Sequence, residues 1–460
     1  MVHLTSLRKN KIHLQDYPYK EDIQNRLLLS HLTVTEVELL EEILFSRLEI
    51  PIAKLKKQFP ALSYEDLLEN LNKLTPLGLY TLRENRVYVD KEKRKYYESQ
   101  LVKFDEDFKP DMDCLSHLLK KVPIHVLPTW YSISKSSNNI FASILDKFLT
   151  TPQIYQRYCS ELGYPDPVFL NIITDLFQAK HFELYASDLK KKYNLTDEAF
   201  HEYVLHFEFN FICVLGYKRI GDVWEEILTP LYEWKQFLLY QQKARPVPIN
   251  NIARIDRLRS SPFAFVEDMT VLLKKAAEKP IPATPSSVQK VLGLPNTEEA
   301  QGYTKELMEK LEEVRFTSLD THVELRPLAK EFLLLDKEQQ SLYLYRHIHH
   351  QSSEEQPRLL HERHQREIER SLKSFAGSDW IYFEDFVQSS MIALRDQQKI
   401  FLKQKSPKSW SYCFPEYSSE DKSIIFNYMR LLFHCSMVEI GKMHGQDCFS
   451  LTEFGRKLLI

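Results

Sequence analysis

With 460 residues, 43% of them hydrophobic and 27% charged, the chain can bury real cores, which excludes a disordered or collagen-like polymer and favours three or four compact units over one. A formal net charge of −3 excludes the strongly basic class whose whole surface attracts nucleic acid, so any polyanion contact has to be local. Only 10 glycines leave few positions for tight turns or phosphate-cradling loops, and the expected class is mainly α with small β-hairpins.

From Thr33, TVTEVELLEEILFS sets Val34, Val37, Leu40 and Leu44 at helical spacing, and IPIAKLKKQFP supplies a second short helix. A third helix opens at SYEDLLENLNKL, with Ser63 as N-cap and Asp66 three residues on. In LGLYTLRENRVYVD, Tyr80, Leu82, Val87 and Val89 alternate around Glu84, Asn85 and Arg86, which predicts a β-hairpin. The order helix, helix, helix, hairpin returns from Pro167, with Thr196 as the third helix's cap, again from Phe265, and finally from near Trp380. Four units are therefore expected, over 1–110, 111–245, 246–350 and 351–460, the second with an additional helical segment. After three of the hairpins comes a related phrase, ILTPLYEW, ELRPLAKEF and SLTEFGRKL, in which Leu228, Leu325 and Leu451 would finish a strand before a returning helix.

That order is the winged-helix order, so tandem winged-helix units are the expected architecture. More specifically, LRPLAKEFLLL, through Leu325, Pro327, Leu328, Phe332 and Leu333, resembles a passage of helicase-associated proteins related to the N-terminal region of XPB-type helicases. The stretch LKSFAGSDWIYFEDFVQSS, through Gly377, Trp380, Phe383, Asp385 and Phe386, and the closing SLTEFGRKLL are similar to further segments of that family. The resemblance spans roughly 324–460 and implies a role beside a helicase or another nucleic-acid enzyme. It implies no motor, because no GxxxxGK[ST] occurs and the one Gly-Lys pair, Gly441 and Lys442, precedes Met443.

No catalytic site is legible: there is no GxSxG, and Ser, His and Asp are too scattered to nominate a triad. His347, His349, His350, His361 and His364 are the best metal candidates, but HERH is not HExxH and no cysteine lies near, so neither metal nor cofactor is expected. Cys114, Cys159, Cys213, Cys413, Cys435 and Cys448 form no CxxC pair, as reduced cytoplasmic thiols would. The N-terminus lacks a signal-type apolar run, no stretch approaches 18 consecutive apolar residues, and no membrane partner is expected.

Three basic patches are the candidate nucleic-acid contacts. Lys91, Lys93, Arg94 and Lys95 continue the first hairpin, where a wing would touch phosphates. Lys243, Arg245, Arg254, Arg257 and Arg259 face only Asp256 in their stretch, as Arg395, Lys399, Lys403, Lys405 and Lys408 face only Asp396. Arg254, Arg257 and Arg259 would grip successive phosphates if Ile252 and Ile255 anchor them, and their loss should hardly disturb folding. Against DNA reading, the third helices of the first two units open with Glu65, Asp66, Asp197 and Glu198. The last unit, with Lys422, Asn427 and Arg430, is the better DNA candidate. Two functions follow: a non-enzymatic accessory factor that binds duplex or forked DNA, or a protein–protein scaffold that docks through its winged helices.

Overall fold

The structure is a computed structural model that describes residues 8–9, 11–164, 166–243, 246–348, 355–375 and 379–459, with the backbone alone at 8–9, 348, 355–361 and 397. The chain is mainly helical, at 57%, with small sheets of two or three strands.

One order of elements recurs. Beyond α1 (Tyr19–Leu29), the first repeat comprises α2 (Val34–Phe45), β1 (Glu49–Pro51), α3 (Ile52–Gln58), α4 (Tyr64–Leu74) and the hairpin β2 (Tyr80–Arg83) and β3 (Arg86–Val89). After α5 (Lys91–Leu101), α6 (Met112–Leu119) and three further helices, the second has α7 (Pro167–Gln178), β4 (Leu184–Tyr185), α8 (Ala186–Tyr193), α9 (Asp197–Phe209), β5 (Cys213–Ile220) and β6 (Val223–Pro230), with α10 (Tyr232–Lys243) behind it. The third has α11 (Ala264–Glu278), α12 (Pro285–Leu292), α13 (Glu298–Glu313), β7 (Thr317–Leu319) and β8 (Val323–Leu325), followed by α14 (Pro327–Phe332). The fourth has α15 (Glu355–Ser374), β9 (Ile381–Tyr382) and α16 (Phe383–Ser389), then an inserted hairpin, β10 (Phe401–Ser406) and β11 (Ser409–Cys413). It closes with α17 (Ser419–His434), β12 (Val438–Met443), β13 (Gln446–Leu451) and α18 (Glu453–Leu459).

In three repeats the short strand after the first helix pairs antiparallel with the second strand of the hairpin: Ile50 opposite Val87, Leu184 opposite Leu228, and Ile381 opposite Phe449. In the third a single bridge, Pro282 to His322, takes its place. These strands have two or three residues, too few for any alternation to announce them.

Local chemistry sets the element ends. Ser63 and Asp66 form a reciprocal capping box at α4, as Ser418 and Asp421 do at α17, and Thr196 accepts from the Ala199 N–H at α9. In α4, Leu67, Leu71 and Leu74 fall on one buried face. The first hairpin turns through Glu84 and Asn85, both at positive φ, where asparagine is tolerated and glutamate is not favoured.

The chain divides into two compact units. Unit 1 takes Met1–Leu239 and Phe401–Cys413, and unit 2 takes Tyr240–Ile400 and Phe414–Ile460. In unit 1, α9 is a core helix: Phe200, Val204, Leu205, Phe207 and Phe209 have no solvent exposure, and Tyr17 and Trp130 meet Phe209 edge-on at 5.4 and 5.2 Å. Each such ring contributes up to about 3 kcal/mol by burial. The inserted hairpin belongs here. Leu402 N–H donates to Thr150 O at 2.7 Å, Tyr412 Oη donates to Leu149 O at 3.0 Å, and Trp410 meets Phe141 at 5.9 Å.

Unit 2 holds one continuous core that includes Phe265, Leu272, Leu307, Leu311 and Phe316 from the third repeat with Ile425, Leu432 and Phe449 from the fourth. A smaller cluster of Ile249, Ile255, Trp380 and Cys448 fastens the segment ahead of α11. Asp256 exchanges backbone hydrogen bonds with Lys442 at 2.7 and 2.9 Å, so this Pro-rich stretch lies along the β12 edge rather than acting as a tether.

Candidate functional site

The structure distributes the candidate cations in ways that spacing could not foretell. Lys91, Lys93, Arg94 and Lys95 are not a wing; they open α5, because Asp90 accepts from the N–H groups of Glu92 and Lys93 at 2.9 Å and starts a helix. Lys93 lies 3.8 Å from Glu21, and Arg94 pairs with Glu98 at 3.1 Å while donating to Ser46 O. Lys91 and Lys95 are exposed.

Within the second patch, Lys243 is exposed at the end of α10, and Arg245 lies outside the described residues. Of the two proposed anchors, Ile255 is buried and Ile252 is exposed. Arg254 is exposed, but Arg257 pairs with Glu439 at 2.9 Å over the Trp380 ring, and Arg259 grips Asp268 through two 2.9 Å bonds and donates to Leu292 O at 2.7 Å. The expectation that all three arginines are free of structural duty is corrected for Arg257 and Arg259.

The third patch is divided between the units. In unit 2, Arg395 pairs with Glu420 at 2.9 Å and Asp421 at 3.3 Å, and Lys399 pairs with Asp396 at 2.8 Å. In unit 1, Lys403, Lys405 and Lys408 stand exposed on the inserted hairpin, with no ion pair among the described residues. On α17, Lys422 pairs with Glu384 at 2.6 Å, Arg430 pairs with Glu306, and Asn427 is exposed.

All four third helices carry two acids in the first turn: Glu65 and Asp66, Asp197 and Glu198, Glu298 and Glu299, Glu420 and Asp421. Such residues suit the positive end of the helix dipole and repel phosphates. Beyond its first turn α9 is largely sealed in the core, so it cannot enter a groove.

Unit 1 also holds a buried charge cluster. Asp22 and Arg26 sit one turn apart on α1; Arg26 donates to Glu208 on α9 at 3.2 and 2.6 Å and to Asp22 at 3.4 Å. Lys121 donates to both Asp22 oxygens at 2.9 and 3.1 Å, Tyr96 donates to Asp22 at 2.8 Å, and Lys103 lies 3.5 Å from Glu208. Burial alone would raise both carboxyls, yet Arg26 and Lys121 hold Asp22 well below its usual range, and Arg26 and Lys103 hold Glu208 down at about 2. Burial, aided by Arg26 and Lys103, brings the Lys121 ammonium down to about 8 despite Asp22.

Lys103 and Lys121 border a cleft of about 700 Å³ inside unit 1. Gln100 and Cys114 line its inner part, where burial pushes the thiol up to about 11; Lys95, Asp105, Asp107, Lys109, His117 and Lys408 are its exposed lining. Glu98, Asp111 and Asp113 add three carboxylates to this mixed lining.

A second buried group in this unit places His201 Nε2 3.3 Å from Glu226 Oε1, with Lys190 3.7 Å from Glu226 and 2.8 Å from Asp197. Burial drives Glu226 up to about 7 and, with Arg26 and Lys190, His201 down to about 3. Between those values both are neutral.

Of the side chains in the two clusters only Asp197 was singled out in the sequence, as an acid that opens a third helix. Among the described residues, no group of three or more His, Cys, Asp or Glu side chains is placed to hold a metal ion, and no helix is long and apolar enough to cross a membrane. His347 Nδ1 lies 2.9 Å from Tyr343 O and His364 Nε2 3.1 Å from Leu394 O; His349, His350 and the His361 side chain lie outside the described residues. The chain matches no protein-family model and no curated protein.

Proposed function

We propose that the protein is a non-enzymatic cytoplasmic scaffold of four winged-helix units, which docks protein partners through the acidic first turns of its third helices. The observation that carries this reading is the shared acidic first turn of the four third helices, together with the carboxylates that already occupy Arg257, Arg259, Arg395, Lys422 and Arg430. A helix that read bases would present Arg, Lys, Asn or Gln there. The complementary partner surface is basic, and the association weakens with salt. The test is recovery of a stable partner from the native cell by the wild-type chain and by a Glu65→Lys, Glu69→Lys variant, which leaves the Ser63 and Asp66 cap intact. Loss of the partner in the variant supports docking at α4; equal recovery removes that face.

A second reading, an accessory factor for DNA transactions alongside a helicase, is favoured by one feature, the exposed Lys403, Lys405 and Lys408 on a two-stranded hairpin. Sequence-independent binding of labelled duplex or forked DNA is its signature, with log K falling against log salt at a slope of roughly −2 to −3 for three contacts. Charge reversal of the three lysines abolishes such binding if the hairpin is the contact, and absence of any shift at low salt removes the reading.

A further inference from the structure

The buried cluster beneath the cleft is not electrically closed. Arg26, Lys103 and Lys121 bring three cations, whereas Asp22 and Glu208 supply two carboxylates. An uncompensated charge away from water is costly, and it is normally paired. Here the surplus sits at the edge of open space. Lys103, about one-twentieth exposed, has a single ion pair among the described residues, at 3.5 Å to Glu208, whose two oxygens already accept from Arg26 and from the Leu215 N–H. Its ammonium retains donor capacity, and both Lys103 and Lys121 line the cleft.

The rim has the opposite character. Around the same space Glu98, Asp105, Asp107, Asp111 and Asp113 stand against Lys95, Lys109 and Lys408, five carboxylates to three ammoniums, so a polyanion or a dianion gains little there. A ligand that satisfies both ends carries one negative group for the interior and one positive group for the rim. The cleft has the size of small-molecule sites, which span roughly 300–1,000 Å³.

We propose that this cleft binds a small ω-amino acid, an ammonium carried several carbons from a carboxylate, with its carboxylate seated against Lys103 and Lys121 and its ammonium among the rim aspartates. The carboxylate closes the buried charge account of Arg26, Asp22 and Glu208. Binding therefore stabilises unit 1 by mass action.

The experiment uses the full chain with 6-aminohexanoate as probe and acetate, 1,5-diaminopentane and inorganic phosphate as comparators, read by calorimetric titration. Saturable 6-aminohexanoate binding, with weaker acetate binding and none by the diamine, is the expected result. Lys103→Met should abolish it. Because that variant disturbs a buried group, Asp107→Asn, Asp113→Asn provides a second arm on the rim: it should weaken 6-aminohexanoate several-fold and strengthen acetate. Equal binding of the diamine and 6-aminohexanoate, preferential binding of phosphate, or no saturable 6-aminohexanoate binding up to millimolar concentration each overturns the proposal.

Discussion

Arg26 Nη2 lies 2.6 Å from Glu208 Oε2 across 182 residues of sequence, with both side chains sealed from water. The contact joins α1 to the core helix α9 and is the pivot of the unit 1 charge cluster. Removing Arg26 leaves Glu208 only Lys103 at 3.5 Å and the Leu215 N–H, and neutralising Glu208 leaves three buried cations against Asp22 alone. Arg26→Met and Glu208→Gln should each cost about 3–5 kcal/mol, and the double variant should cost much less than their sum. Tryptophan fluorescence in denaturant is a suitable probe, since Trp130, Trp224, Trp234 and Trp410 lie in unit 1 and Trp380 in unit 2. Additive losses would show that the two side chains act independently.

The His201 and Glu226 pair predicts a pH dependence with opposing parts. Glu226 has its folded value raised from 4.5 to about 7, so its contribution is full below the unfolded value and is lost as pH rises through 7. His201, lowered from 6.5 to about 3, contributes fully above 6.5 and loses that contribution as pH falls toward 3. Glu226→Gln removes only the first part. It should leave stability at pH 5 little changed and raise it at pH 8 by up to about 3 kcal/mol, as unfolding free energies at the two pH values would reveal. An equal effect at both would place the Glu226 titration elsewhere.

Two of the linker arginines, Arg254 and Arg259, should separate cleanly. Arg259→Ala strands Asp268, which also accepts from Tyr303, and leaves Leu292 O without its donor, a loss of about 1–3 kcal/mol in unit 2. Arg254→Ala should fall within about 0.5 kcal/mol of wild type. Thermal unfolding of the single variants distinguishes them, and equal midpoints would contradict the role given to Arg259.

Gly455 marks where α18 passes the turn after α17. A Cβ there would fall within the van der Waals shell of the Met437 carbonyl, which is backbone and cannot swing aside. Gly455→Ala should destabilise unit 2 by about 2–3 kcal/mol, measured by denaturant unfolding, while Gly302→Ala, with nothing near its Cβ position, should not.

Elements with local chemistry were legible in the sequence. Ser63 with Asp66 and Thr196 announced helix starts, the alternation around Glu84 and Asn85 announced a hairpin, and Leu325 and Leu451 do end their strands. What was illegible depends on partners distant in the chain. Asp90 turns a presumed wing into α5; Arg26 looks like a surface residue until Glu208 is found; and Arg257 and Arg259 look like phosphate ligands until Glu439 and Asp268 appear. The cleft was equally hidden, because its lysines and aspartates come from α5 through α6, from the loop after α6, and from the inserted hairpin. Charge in a sequence reports capacity for pairing, and only the fold reports which capacity is already used.

The inserted hairpin has a consequence for synthesis. Unit 1 ends at Leu239 but takes Phe401–Cys413 as its last piece, so roughly 160 residues must be translated before the piece exists. At about 5–20 residues per second, a nascent unit 1 waits on the order of ten seconds with Thr150 O and Leu149 O lacking their eventual donors, Leu402 and Tyr412. A ribosome-bound chain stopped near residue 300 should therefore be cleaved by protease around Leu149, and release of the full chain should close that window. The order of the gene, rather than the order of the fold, then determines when the first half of this protein becomes finished.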